Sequence, residues 1–445
     1  MAYMHELTTF YPCTTTMLKV YSVSLGCPKN RVDTEHLLGS IALPFKAVEQ
    51  AGRADVVIIN TCGFIEPAVE ESIQAILAMA EKLKGLKKRP LLVVAGCLVG
   101  RYGVPDLAAG MPEVDLWLPN QCIDDWGALL AQALGLPQPV AGRVLSTPPS
   151  YAWMKISDGC RHRCSFCTIP SIRGAHRTTP ADMLTHEAQE LLDQGVKELV
   201  LVAQDVTAWG SDVGDKRGLI SLLEKLLPLR GLHWLRLLYL YPAGLTTDLL
   251  DFMAQAGLPL LPYFDVPVQH AHPDILLRMG RPFARDPRLA IERVRAAVPH
   301  AVLRTSIITG FPGETEEHFA TLRDFVAETR FHHLGVFAYK AEEGTPAAAM
   351  PDQIPESVKE ARREELMALQ RDISAEWLEA YPGQKMDVLV DAVHPEWPGL
   401  HTGRVWFQAP EIDGVTYISG EGVAPGAMVQ ADIVESADYD LTALV

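Results

Sequence analysis

Ser157-Asp158-Gly159-Cys160-Arg161-His162-Arg163-Cys164-Ser165-Phe166-Cys167 decides how the rest of the chain is read. It sets three thiols as C-x3-C-x2-C within eight residues. One short loop of this kind can wrap three corners of a [4Fe–4S] cube, a cofactor held by cysteine thiolates. The fourth iron is then left for a small molecule. A zinc knuckle and plain buried thiols are the competing readings. Zinc prefers four ligands and C-x2-C pairs, and a fourth donor here would have to be His162 or something distant. An apolar run at 152–156 feeds the loop, and an aromatic residue stands before its last thiol, which fits zinc poorly.

Upstream, three short β-rich runs each lead to a cysteine. They are 19–25 (KVYSVSL) before Gly26-Cys27, 55–60 (DVVIIN) before Thr61-Cys62-Gly63, and 91–95 (LLVVA) before Gly96-Cys97. Helical patterns lie between them; in 68–84 the apolar residues recur at Val69, Ile73, Ile76, Leu77 and Ala80. Alternating strands and helices predict a doubly wound parallel sheet over residues 18–140. Ligands of such sheets bind beyond the strands' C-terminal ends. Cys27, Cys62 and Cys97 stand there at equal steps of 35 residues, each beside a small residue. Any one alone reads as a small buried hydrophobe; three equivalent positions predict a second Fe–S cluster. Cys13 and Cys122 match no such position and are read as non-ligating.

The chain's totals agree. Its 445 residues suggest two to four domains. With 48% hydrophobic and 21% charged residues it reads as an ordinary globular protein. No apolar run is long enough for a membrane span, and the N-terminus lacks a secretory pattern. Eight cysteines are too few for a disulfide scaffold and suit cofactor ligation in a reducing cytoplasm. A net charge of −16 argues against a broad grip on nucleic acid. Residues 1–17 read as a flexible tail, and 141–150, with Ser146-Thr147-Pro148-Pro149, as a linker.

Six strand-like runs follow in residues 151–376, at 152–156, 198–203, 234–240, 263–268, 302–308 and 334–339. With helical stretches between them they predict an α/β barrel or partial barrel whose site lies at the strands' C-terminal ends. Polar or special residues placed there by this reading are Gln204, Asp205, Pro242, Gln269, Arg304 and Gly310, and Phe166 stands inside the loop. Each alone could be a helix cap or loop contact. His270 and His272 have no metal-ligand spacing and read as ordinary polar residues; Arg281 is read as a carboxylate or substrate contact. Beyond a charged helical stretch, residues 377–445 alternate apolar and polar over short runs with Gly and Pro turns, which predicts a small antiparallel β-barrel of OB type. From residue 381 on, two basic residues face ten acidic ones, a surface that would repel phosphate and attract a basic protein.

The Cys160–Cys167 loop resembles the signature of the radical S-adenosylmethionine superfamily, and its place after the first of six strands matches that superfamily's open (β/α)6 partial TIM barrel. The three-cysteine domain ahead of it resembles the methylthiotransferases. Gly26-Cys27-Pro28-Lys29-Asn30, Asn60-Thr61-Cys62-Gly63-Phe64-Ile65, Ala95-Gly96-Cys97-Leu98 and Ala341-Glu342-Glu343-Gly344-Thr345-Pro346 are similar to the branch that modifies a ribosomal protein. The tRNA-modifying (MiaB-type) branch has Gln after the first Gly-Cys. Lys340, where a serine is expected, is a departure. The last domain resembles TRAM domains.

The resemblance implies two [4Fe–4S] clusters, on Cys160, Cys164 and Cys167 and on Cys27, Cys62 and Cys97, with S-adenosyl-L-methionine as cofactor and a reducing electron donor. It implies that Phe166, Gln204, Asp205, Pro242, Gln269, Arg304 and Gly310 receive that cofactor. The implied reaction adds a methylthio group to the β-carbon of an aspartate in small-subunit ribosomal protein uS twelve, a methylene with no acidic proton, so that a radical and not a base must activate it. The alternatives are the same chemistry on tRNA adenosine and a non-catalytic Fe–S protein that binds ribosomes.

Overall fold

The structure is a computed structural model that describes residues 17–281 and 286–445; Cys13 and, Met17 apart, the expected tail lie outside the described residues. The chain forms two compact units. The first runs to Ser146 and takes in Gly159–His162 and Thr168–Ala175; the second holds Thr147–Asp158, Arg163–Cys167 and His176–Val445.

In the first unit five parallel strands, β1 (Leu18–Ser24), β2 (Phe45–Ala47), β3 (Val56–Thr61), β4 (Leu91–Gly96) and β5 (Leu116–Pro119), take the order β2-β1-β3-β4-β5. Helices α1 (Pro28–Gly39), α2 (Glu66–Leu83), α3 (Cys97–Tyr102), α4 (Val104–Gly110), α5 (Trp126–Leu134) and α6 (Ile169–Arg173) complete it. The central β3 is buried at every position, as expected of a parallel strand covered on both faces. Val57 and Ile59 pack on one side with Ile76, Leu83, Leu98 and Leu107, while Val56 and Ile58 pack on the other with Leu37, Leu38, Trp126 and Leu130. The predicted doubly wound sheet is therefore present, with two short strands, β2 and β5, that the sequence pattern did not reveal.

The second unit contains the six predicted parallel strands: β6 (Tyr151–Lys155), then β9 (Glu198–Val202), β10 (Trp234–Leu237), β11 (Tyr263–Asp265), β12 (Val302–Thr309) and β13 (His333–Ala338). A small ladder of β7 (Ser157–Asp158) on β8 (Arg177–Thr178) brackets the cysteine loop along the chain. Strands β6, β9 and β10 pair in parallel, as do β11, β12 and β13. The triplets are joined where Leu235 N donates to Pro259 O (2.7 Å) and Leu240 N to Asp265 O (2.8 Å). Helices α7 (Ala181–Asp193), α8 (Leu219–Leu226), α9 (Thr247–Ala256), α10 (Pro273–Arg278), α11 (Pro287–Ala297), α12 (Glu316–Thr329) and α13 (Glu356–Leu378) follow in turn.

The chain ends in a closed five-stranded barrel of β14 (Lys385–Val393), β15 (His401–Arg404), β16 (Thr416–Ser419), β17 (Met428–Ser436) and β18 (Leu441–Leu444), ordered β14-β15-β16-β18-β17. It is antiparallel except for β16 and β18, which pair in parallel. Its inner side is fastened to the first residues of the large barrel's strands. Arg404 bridges Glu198 at the start of β9 and Asp391 (2.8 Å), and Glu198 also accepts from Arg236 (2.7 Å). Tyr151 donates to Glu411 (2.7 Å) and Tyr263 to Asp413 (2.6 Å). Burial opposes the charge on Glu198, yet Arg236 and Arg404 hold its carboxyl below the usual range. Removing one member of such a buried set leaves an uncompensated charge, a loss of about 3–5 kcal/mol. The small barrel thus covers the strands' N-terminal ends and leaves their C-terminal edge for chemistry.

Candidate functional site

Strands β1, β3 and β4 are neighbours in register, Ser24 beside Asn60 and Thr61 beside Gly96. Their C-terminal ends therefore deliver Cys27, Cys62 and Cys97 to one edge. Cys27 caps α1 and Cys97 opens α3. The flanking glycines enforce the approach. A Cβ on Gly26, whose φ is +85°, would lie 2.8 Å from Cys62 Cβ and 3.0 Å from its Sγ. A Cβ on Gly63 would lie 2.8 Å from the Cys97 carbonyl.

Polar side chains that sequence reasoning left without a role hold these three ends together. Asn30 Nδ2 donates to the carbonyls of Leu25 (3.0 Å) and Thr61 (2.9 Å), the residues leading into Gly26-Cys27 and Cys62. Its Oδ1 accepts from Arg173 (2.6 Å) and from the Cys97 thiol (3.5 Å). Asn60 donates to Asn30 O (2.8 Å), and Ser72 Oγ clamps both the N–H (3.1 Å) and the carbonyl (2.8 Å) of Cys62. Their signal was the motif itself, since Asn30 and Asn60 sit inside the cysteine strings.

Burial pushes the Cys97 thiol up to about 12 and raises that of Cys62. Burial opposes the Cys27 thiolate too, but Lys29 and Arg173 outweigh it and lower the thiol. All seven described cysteines are free. Among the described residues, the sulfurs of Cys27, Cys62 and Cys97 do not all lie within 4.8 Å of one another. A tetrahedral zinc, with Zn–S of about 2.3 Å, would draw its sulfurs to about 4 Å. The donor set is all sulfur, the kind that Fe–S clusters take.

Around the loop, Cys160 N donates to Gly174 O (3.1 Å) and its Sγ accepts from His162 N (3.4 Å). In the second unit Cys167 N donates to Cys164 O (3.1 Å), and Ser165 is held by Met279 O and Arg278 O. Arg281 Nη1 lies 3.9 Å from Cys164 Sγ while Nη2 donates to Pro267 O (2.7 Å), and its guanidinium stacks on Tyr241. Donors aimed at these sulfurs suit thiolates that carry a cluster. Phe166 packs edge-on against Phe311.

The other predicted residues divide. Gln204 follows β9, and among the described residues both polar atoms of its buried amide lack a partner, as a group awaiting a ligand would. Asp205 is buried and accepts from Thr207 (2.6 Å). Pro242 is buried and opens a short turn after β10. Gln269 holds a φ of +73° beside β12, a strained conformation for a residue with a side chain.

Arg304 and Gly310 meet neighbours of the chain itself. Arg304 is the third residue of β12, towards the end covered by the small barrel, where it pairs with Asp265 (3.0 Å) and Asp413 (3.4 Å). Gly310 leaves room for Lys359, whose Cγ would be 2.2 Å from a Cβ there, and its N–H donates to Glu314. His270 is fully buried with its Nε2 3.3 Å from Glu314. His272, Asp274 and His318 do bring ligand atoms within 4.8 Å of one another. Each ring, however, accepts a backbone N–H at Nδ1, from Asp274 and Thr315, and so serves as a helix cap.

The chain matches the Radical SAM superfamily over residues 154–326, the uncharacterized protein family UPF0004 over 19–119 and the TRAM domain over 383–445. The ribosomal protein uS12 methylthiotransferase RimO of Nitratidesulfovibrio vulgaris (strain DP4) is 68% identical over 96% of this chain and 100% of its own length. The protein of that name from Aquifex aeolicus is 45% identical over 95% and 96%. Among solved structures, the radical S-adenosylmethionine methyltransferase TsrM of Kitasatospora setae aligns with a TM-score of 0.53 over 86% of this chain and 78% of its own, at 14% identity. That last likeness is one of fold.

Proposed function

Because the chain belongs to the RimO family of ribosomal protein uS12 methylthiotransferases, we propose that it transfers a methylthio group to the β-carbon of an aspartate in that ribosomal protein. Family membership brings a [4Fe–4S] cluster and S-adenosylmethionine; we assign the cluster to Cys160, Cys164 and Cys167 and a second to Cys27, Cys62 and Cys97. When bound, these groups would supply, with one electron from a reducing donor, a 5′-deoxyadenosyl radical able to take a hydrogen atom from an unactivated methylene, the sulfur to be inserted and, from a second S-adenosylmethionine, the methyl group. The residues of the chain position and shield. Gln204, with its unpartnered amide, and Asp205, Pro242 and Gln269 line the C-terminal edge where the cofactor's polar groups would be met. Phe166, packed on Phe311, keeps the back of the loop dry.

The observation that carries the reading is the interlock of Gly26 with Cys62 and of Gly63 with Cys97, which gathers three strand tips about one object. The acidity of the last domain is partly turned inward, since Asp391, Glu411 and Asp413 fasten it to the large barrel. Glu396, Glu421, Glu435 and Asp438 remain exposed and suit a basic protein better than RNA. Such a target suits a reaction in the cytoplasm. Among the described residues no helix is long and apolar enough to cross a membrane. Anaerobic reconstitution with iron and sulfide, followed by incubation with uS12 and with tRNA, tests this. Iron and sulfide for two cubes and a modified aspartate are expected; one cube only, or modified tRNA with unmodified protein, overturns it.

A further inference from the structure

Arg173 is carried by the last turn of α6, six residues beyond Cys167 along the chain, and its side chain is 1% exposed. Its contacts with Asn30 and Asp33 lie beside the strand-tip cysteines. Its Nη2 donates to Asn30 Oδ1 (2.6 Å) and meets Asp33 Oδ2 at 3.1 Å. Asn30 is the hub that holds the carbonyls before Gly26-Cys27 and Cys62 and accepts from the Cys97 thiol.

A cube on three thiolates is a net anion and gains a further negative charge on reduction. Net charge and donors near the sulfurs set how readily such a group takes an electron. A buried cation is what such a site needs if it is to form in a dry interior, and a buried arginine keeps its charge. Asp33 opposes it and sets the net charge below that of the guanidinium alone. We infer that Arg173, acting through Asn30, is the positioning residue that balances the charge of a cluster on Cys27, Cys62 and Cys97, and that Asp33 tunes it in the opposite sense. Since the arginine arrives on the continuation of the Cys160–Cys167 loop, the site on the strand tips is completed only when that loop's far arm is folded. The inference rests on the second cluster proposed above.

The test uses the full chain with Cys160, Cys164 and Cys167 all replaced by Ala, so that any cluster present belongs to the strand-tip set. Iron is counted after anaerobic reconstitution, and the midpoint potential is read by EPR-monitored titration in the parent and with Arg173→Gln, Arg173→Lys and Asp33→Asn. No iron in the parent overturns the second cluster itself. With iron present, Arg173→Gln is expected to disfavour reduction at least tenfold, about 59 mV for one electron, and to hold less iron. Arg173→Lys stays nearer the parent, and Asp33→Asn shifts the potential the other way. Should Arg173→Gln shed all its iron, the opposed signs of the Lys and Asn variants still decide. Equal potentials across the series, or a common sign for Arg173→Lys and Asp33→Asn larger than their difference, overturn the inference.

Discussion

The two sets of three cysteines are built by opposite means. One lies within eight residues of a single loop, so that covalent spacing alone keeps its thiols near each other. The other borrows one residue from each of three strand ends, and only the pairing of β1, β3 and β4 brings them together. The loop site therefore depends on a local turn, while the strand-tip site depends on a whole sheet, on glycines that let neighbouring tips touch, and on Asn30 as a tie. The difference also shows in their cations. Arg173 shares its charge with Asp33. Among the described residues, the partners of Arg281 are a sulfur, a carbonyl and an aromatic face, none of them a carboxylate.

The widest separation between the sites comes from the thiols themselves. Cys160→Ala is expected to abolish both cleavage of S-adenosylmethionine and thiolation. Cys62→Ala should leave 5′-deoxyadenosine formation within about threefold of the parent, a change of under about 1 kcal/mol, while no methylthio product forms. Chromatographic assay of 5′-deoxyadenosine beside mass spectrometry of the uS12 peptide reads both. If the two variants lose both activities alike, the sites do not have separate roles.

Next come the glycines. Gly96 holds a φ of +102°, and a Cβ there would sit 2.1 Å from Asn60 Oδ1; Gly159 holds +68°, with Ala175 O at 2.0 Å. Backbone strain and overpacking together put either alanine variant at about 2–5 kcal/mol of local destabilisation. Gly96→Ala should lower the iron content towards one cube while cofactor cleavage persists. Gly159→Ala, next to Cys160, should lower cleavage first. Iron counts and cleavage rates that fall in parallel for both variants would erase the contrast between a sheet-built and a loop-built site.

The same contrast explains what the sequence made legible. The loop declares itself by spacing, and the strand tips by equal steps after apolar runs, because both are signals along the chain. Six strands and a small barrel were readable for the same reason, whereas Phe45–Ala47 and Leu116–Pro119 are too short to show a pattern. Arg173 was not legible as a partner of Asn30, since 143 residues separate them and only folding joins them. Arg304 is the third of the eight residues of its strand, towards the covered end, which a linear pattern does not tell apart from the other edge. At Gly310 a glycine reports that something comes close, and here one neighbour is Lys359 of α13. A polar residue near a strand's end has two edges to serve, and only the fold says which.

The finest test concerns Arg281. It is 3% exposed, so its charge is little screened by water, and among the described residues its Nε has no hydrogen-bond partner. A cation 3.9 Å from Cys164 Sγ eases the arrival of an electron on whatever that sulfur holds, and no carboxylate partner among the described residues offsets it. A charge-assisted contact to sulfur worth about 1.4 kcal/mol corresponds to about tenfold in rate. Arg281→Gln is therefore expected to retain both cubes and to slow 5′-deoxyadenosine formation about tenfold under limiting reductant, with Arg281→Lys between the two. The same variants leave the strand-tip potential untouched, because that set answers to Arg173. An Arg281→Gln protein whose cleavage rate is unchanged at every reductant strength would show that the guanidinium serves only to fasten Pro267 and Tyr241, and the asymmetry between the two arginines would then carry no electrochemical meaning.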